Sequence, residues 1–346
     1  MAGAPDRRHF SDLDGMRGLL ALVVMLYHFG LNSMLNRVVP VGQPYWDLCV
    51  DFFFVLSGFV LCRSVLASGV SPALFAWRRF GRLFPVHLVI LLAFWFALYP
   101  DGVTAGGLAL EASAAGPLLG TALANNPAWS MTFEFYLPIV LVAALVWGGT
   151  PGPRLSVAAI LLLVPLLGWL TWLIFSGALD PLTHWLEWAR AAAGLTLGFA
   201  CWTWLAARRK DTVAQGDWPA WLFPLCCAAF CLVVLLGARL PVLGLSLPLV
   251  MVATLLVGTR SRSVFSTWPA QWLGRLSFGV YMVHWPVLLA AQARFGDAAL
   301  QGNVALKGAM IALVLVLALA LHLLVERPAM RRFRYWPGSR PIAAQA

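Results

Sequence analysis

The chain has 346 residues, 61% of them apolar and only 11% charged, with a formal net charge of +10. A soluble domain carries about a quarter charged residues, so this composition cannot supply a polar surface and excludes an ordinary soluble globule. The positive balance does not indicate nucleic-acid binding, because the basic residues lie in loops between apolar runs and not on one face.

Those runs are long enough to cross a hydrocarbon core of about 30 Å as helices. Inside lipid the backbone must satisfy its own hydrogen bonds, so an all-α bundle follows. A membrane β-barrel would need short alternating segments instead. The expected fold is a polytopic membrane helix bundle with ten spans, at about 13–33, 48–66, 83–100, 129–147, 155–175, 185–206, 219–236, 242–258, 277–295 and 304–325. With the N-terminus inside, the predicted inner segments hold 17 basic residues and the outer segments 4. The positive-inside rule therefore places both termini in the cytoplasm. The first span follows Arg7 and Arg8, lacks a small-residue cleavage site and reads as a retained signal anchor. Residues 1–346 read as one domain, with a core of about 10–328 and a short basic cytoplasmic tail at 329–346. The Ala- and Arg-rich usage fits the cytoplasmic (inner) membrane of a bacterium.

Ionisable groups inside spans are costly and mark function. The first span carries Asp14, Arg17 and His28. Eleven residues at about 100° each bring Arg17 and His28 to one face, about 16 Å apart along the axis. The second span opens near Asp51 and runs through FFFVLSGF at 52–59, where Ser57-Gly58 is either a close helix contact or a local break. Residues 71–82 combine Phe75, Trp77 and Phe80 with Arg78, Arg79 and Arg82, as in an amphipathic helix leading into the third span. Arg79 and Arg82 fall on one helix face. The Gly- and Ala-rich stretch 101–128 is too apolar for an ordinary loop and is expected to re-enter the membrane or line a mouth. The fourth span places Glu134 about one turn inside its outer boundary, and the ninth carries Arg275, Tyr281 and His284.

These positions sort into two layers. An inner one holds Arg17, Arg63, Arg79, Arg82 and His284, and an outer one His28, Asp51 and Glu134. A basic inner layer suits an anionic, phosphate-bearing ligand. An imidazole and a carboxylate at one depth suit hydroxyl activation. No paired metal-ligand spacing is present, and the six cysteines read as small buried hydrophobes.

Six segments together carry a family resemblance. They are LDGMRGLLALVVMLYHF, DFFFVLSGFVL, RRFGRLFPVH, WSMTFEFYLP, LGRLSFGVYMVHWP and the closing ERP at 326–328. In this order they resemble the acyltransferase-3 family of membrane O-acyltransferases across almost the whole chain. The resemblance implies transfer of an acyl group, often acetyl, from acyl-CoA to a hydroxyl of a glycan, glycolipid or similar acceptor, without a metal. It implies that His28 and Glu134 are catalytic, and that Arg17, Arg79 and Arg82 bind the donor. Asp51 and His284 are expected to bind the acceptor. Where the family often has Ser-Tyr in the ninth span, this chain has Ser277-Phe278.

Alternatives stay open at this point. His28 is either a general base or a transient acyl carrier. Arg17 either binds donor or pairs with Asp14, and Glu134 either orients His28 or meets the acceptor. A transporter or flippase would use the same polar residues without chemistry. A non-catalytic component of a glycan-assembly complex is a third reading.

Overall fold

The apolar runs become helices close to where the sequence places them. The computed structural model describes residues 10–30, 32–33, 36, 44–98, 105–121, 123–180, 183–208, 218–296 and 303–336. Arg7, Arg8, Arg37, Arg209, Lys210 and Arg340 lie outside the described residues, as does the tail from 337 onward. Among the described residues the structure is all helical, without strands. In chain order the helices are α1 Ser11–His28, α2 Cys49–Ser68, α3 Pro72–Leu98, α4 Ala105–Ser113, α5 Trp129–Gly148 and α6 Pro153–Phe175. They continue with α7 His184–Arg208, α8 Leu222–Gly237, α9 Leu247–Gly258, α10 Trp268–Phe295 and α11 Val304–Leu321. A π turn at His322–Glu326 then leads into α12, Arg327–Arg332.

Six helical stretches are long and apolar enough to cross a membrane: Trp46–Ser68, Asn126–Gly148, Pro153–Phe175, Pro241–Gly258, Trp268–Phe295 and Val304–Arg332. The chain is thus a multi-pass membrane protein. The other four predicted spans are helices as well. α8 is short, and the charges of α1 and α7, Arg17 and Arg190 among them, lower their apolarity.

Two connecting segments position the site. The amphipathic stretch at 71–82 is no separate helix; it forms the first turns of α3, which continues through Pro85. Within 101–128, where 101–104 and 122 lie outside the described residues, the chain forms α4 and two 3-10 turns, Gly116–Leu119 and Asn126–Ala128. This segment sinks against α10. Asn125 Nδ2 donates to the Met282 carbonyl at 2.9 Å, and the Tyr281 hydroxyl donates to the Pro127 carbonyl at 2.8 Å. Tyr281 lies about 20 Å along α10 from its start, at 1.5 Å per residue. α5 therefore begins near the middle of α10, with Trp129, Ser130, Met131, Thr132 and Phe133 all buried.

Two close helix pairs organise the bundle. α1 and α10 run in the same direction. A Cβ on Gly18 would lie 2.7 Å from the Gly274 nitrogen, and a Cβ on Gly274 would collide with the Asp14 carbonyl. Further along both helices His28 meets His284 across the same offset of 256 positions, so register holds over about 15 Å. In the second pair, Gly58 of α2 seats on the Leu195 carbonyl of α7, and Gly198 of α7 seats on the Val55 carbonyl. Ser57-Gly58 is thus a helix contact, and α2 runs unbroken.

The same pair is tied by charge. Arg190 Nη2 lies 2.8 Å from Asp51 Oδ1, and Arg190 Nε donates to the same oxygen at 2.9 Å. Arg190 is only 1% exposed. Asp51, expected to meet the acceptor, is taken up by this pair. Beyond the π turn, Trp77 Nε1 donates to the Tyr335 carbonyl and Arg78 Nε to the Arg334 carbonyl, each at 3.0 Å, and Phe333 seats on Gly81.

Gly274→Ala should cost about 1–3 kcal/mol, as overpacking does, and lower the unfolding temperature in detergent. Gly308→Ala, with nothing within 4 Å of its added Cβ, should not. Asp51→Asn should destabilise by about 3–5 kcal/mol, because it strands a buried guanidinium. Asp51→Leu combined with Arg190→Leu should recover much of that loss in the same thermal assay.

Candidate active site

The inner cluster forms where α2, α3 and α5 meet. Arg79, on the buried side of α3, donates from Nε to the Glu134 carbonyl at 2.7 Å, and its Nη2 lies 3.4 Å from Glu134 Oε2. The other carboxylate oxygen of Glu134 accepts from Ser57 Oγ at 3.0 Å. Arg17, on α1, is 3.6 Å from Asp14 one turn earlier. Arg17, Arg79 and Arg82 lie near enough to act on one another's charge. Arg82 is half-buried and makes no ion pair among the described residues, whereas Arg63 turns away onto the Phe10 ring at 4.1 Å.

Glu134 therefore does not pair with His28. Counted from the start of α5, it sits at the expected place, but α5 itself begins deep in the bundle. The descent of residues 123–128 carries Glu134 to the arginines. His284 moves the other way. It was grouped with the inner arginines, yet its Nε2 lies 3.1 Å from His28 Nδ1, with the two rings stacked at 5.0 Å between centroids. His284 is fully buried, and Trp285 closes the other side of the His28 ring edge-on at 5.4 Å. The two residues exchange layers because a span boundary read from hydropathy is not a depth.

Between the two clusters lies a cavity of about 40 Å³, lined by Arg17, Glu134, Ser130, Ser277 and Tyr281, with Phe53, Met131 and Phe278 as its apolar wall. Tyr281 accepts from Ser130 Oγ at 3.0 Å, and its ring is 5.8 Å from that of His284. The result is a continuous polar column: Arg79, Glu134, the cavity with Arg17, Tyr281, His284 and His28. A cavity of this size holds about one water. Phe53 and Phe278 narrow the column at this point. A far larger groove of about 860 Å³ lies between α3, α10 and α11. Its lining is almost entirely apolar, Val287, Met310 and Leu317 among it, and Arg294 is its one charged residue.

Asp47 escaped the sequence reading. It sits in the 3-10 turn Trp46–Leu48, hydrogen-bonds the Tyr27 hydroxyl and lies close enough to act on the charge of His28. Its only sequence signal is a carboxylate one turn ahead of Asp51, just outside the predicted span. Tyr281 and Ser130 were inside recognised motifs, but nothing in spacing indicated that they would line one cavity.

With this geometry in view, comparison with known proteins is direct. The acyltransferase-3 family model, described as an acyltransferase domain, matches residues 10–325. The acyltransferase MdmB of Streptomyces mycarofaciens is 25% identical, with 92% of this chain and 91% of that protein covered. The peptidoglycan O-acetyltransferase OatA of Listeria monocytogenes is 24% identical over 82% of this chain, which spans half of that protein. Protein 2 in the picA locus of Rhizobium radiobacter is 29% identical over 47% of this chain and 97% of its own length. No solved structure matches the chain. The match over nearly the whole chain shows that it belongs to the acyltransferase-3 family of membrane acyltransferases.

Proposed function

We propose that this protein moves an acyl group, acetyl in the first instance, from cytoplasmic acyl-CoA to a hydroxyl of a carbohydrate-type acceptor on the opposite face of a bacterial inner membrane. The observation that carries the reading is the polar column, with guanidinium groups at one end and imidazoles at the other. In this reading the bundle is a single domain of ten spans, with both termini in the cytoplasm. The family relationship and the name of the peptidoglycan O-acetyltransferase relative support the reaction class and the acceptor chemistry.

The residues divide the work by their partners. Arg82 has no carboxylate partner among the described residues and is the group available for a phosphate of the donor. Arg79 is engaged by Glu134, so its part is to hold the floor of the donor site and fix the carboxylate. Arg17 faces the cavity and receives the donor's far end. His28 either removes the proton of the acceptor hydroxyl as the oxygen attacks the thioester carbonyl, or first accepts the acyl group itself. Glu134 stands on the donor's route at the cavity and not beside His28, so it guides the donor there. Asp51 supports His28 only through the α2–α7 scaffold. Because Phe53, Met131 and Phe278 fill the middle of the column, passage of the acyl group requires these side chains to swing aside.

The test is donor consumption by purified protein in lipid nanodiscs, with acetyl-CoA and a glycan extract. His28→Ala should lower turnover at least ~10²-fold. Arg82→Ala should raise the donor KM roughly ten-fold or more, as loss of one charge-assisted hydrogen bond does, with a smaller effect on kcat. No turnover by folded wild-type protein would overturn the acyltransfer reading, and wild-type turnover in folded His28→Ala protein would take His28 out of the chemistry.

A further inference from the structure

His28 and His284 touch through one nitrogen each, and that contact leaves few arrangements of protons. A neutral imidazole has one N–H and one lone pair. His284 Nδ1 faces the Val280 carbonyl at 3.3 Å, and the Tyr281 carbonyl also faces this ring. Carbonyls only accept, so Nδ1 of His284 carries its hydrogen. Nε2 of His284 is then a lone pair, and it lies 3.1 Å from His28 Nδ1. Two lone pairs cannot face each other at that distance, so His28 Nδ1 carries the hydrogen and donates. The Val24 carbonyl, one turn earlier on α1, also hydrogen-bonds the His28 ring. His28 is left with its lone pair on Nε2.

We infer that His284 is a positioning residue that holds His28 in the Nδ1–H tautomer, so that Nε2 of His28 is the atom that reacts. This rests on the acyltransfer reading above and deepens it, because it holds for both chemical routes left open there. If His28 is a base, the O–H bond of the acceptor breaks and its proton goes to Nε2. The acceptor oxygen bonds to the acyl carbon, the C–S bond breaks, and the thiolate takes the proton back from Nε2 to leave as coenzyme A thiol. If His28 is a carrier, Nε2 bonds to the acyl carbon as the C–S bond breaks. The acceptor oxygen then displaces it, and the hydroxyl proton again ends on the thiolate. In both routes positive charge develops on the His28 ring, and the Nδ1–H bond to His284 Nε2 is where that charge is shared. The pairing thus supplies what a carboxylate partner supplies to a catalytic histidine elsewhere, and Glu134 is not needed for it. The parallel register of α1 and α10 is what sets the two rings face to face.

The experiment uses the full-length protein in nanodiscs, with histidine rings labelled with ¹⁵N. The chain has six histidines, and the His28 signals are assigned by their loss in His28→Ala. The expected result is a protonated Nδ1 and an unprotonated Nε2 on His28 in the wild type. His284→Phe should release that preference and lower kcat on the order of 10²-fold, within the range of general-base effects, with the donor KM unchanged. His284→Gln, whose amide oxygen can stand where Nε2 stood, should restore most of the turnover and the Nδ1–H tautomer. A wild-type His28 protonated on Nε2 overturns the inference, and so does wild-type kcat in folded His284→Phe protein. No donor turnover by folded wild-type protein, with the glycan extract supplied, would instead overturn the acyltransfer reading, while the tautomer measured on resting protein would still stand or fall by itself.

Discussion

The bundle depends first on how closely α1 and α10 approach. Lipid chains are as apolar as leucine, so burial from water cannot drive two helices together inside a membrane; dispersion contacts between close backbones must do so. Gly18 and Gly274 provide that approach near one end of the pair. Two α-helices rise equally per residue. A contact fixed at one level, with the helices parallel, therefore fixes what meets what at the next. His28 reaches His284 because Gly18 reached Gly274. The pair α2 and α7 repeats the device with Gly58 and Gly198, and ends in an ion pair where the first ends in two imidazoles.

Charges within this frame occur with partners. Arg190 is held by Asp51, Arg79 by Glu134, and Arg17 by Asp14. An unpartnered ion in such surroundings would cost several kcal/mol. Arg82, which makes no ion pair among the described residues, lies on a half-buried side of α3, beside the segment that folds back from residue 333. Exposure is what makes an unpaired charge tolerable there, and the same exposure makes it available. Toward the centre of the column the polar groups become neutral hydroxyls, those of Tyr281, Ser130 and Ser277, which need no counter-ion. The gradient from guanidinium to hydroxyl to imidazole follows from dielectric cost as much as from chemistry.

Much of this was legible in the sequence, and the failures have physical reasons. Helix positions were readable because a span is a local property of about twenty residues. The shared face of Arg17 and His28 was readable for the same reason, since periodicity within one helix is local. The partners were not. Asp51 and Arg190 are 139 positions apart, and nothing near either names the other. Glu134 was placed correctly on its helix and wrongly in the bundle, because the apolar composition of 101–128 signals re-entry but not how far residues 123–128 descend along α10 before α5 begins. His284 was misplaced by the opposite error, its depth being counted from a span start at 277, whereas α10 already begins at Trp268.

The pairing of α1 with α10 also sets the order in which this molecule can be made. Ribosomes add about 5–20 residues per second, so the 256 positions between the two contacts take roughly 10–50 s to appear. Throughout that interval α1 is already in the bilayer with its glycine face uncovered and His28 without His284. The helix that emerges first is among the last to be completed. Insertion must therefore tolerate a polar, half-finished first helix for many seconds, and any chain interrupted before residue 268 leaves it permanently so. Such fragments would present an exposed small-residue face to the bilayer.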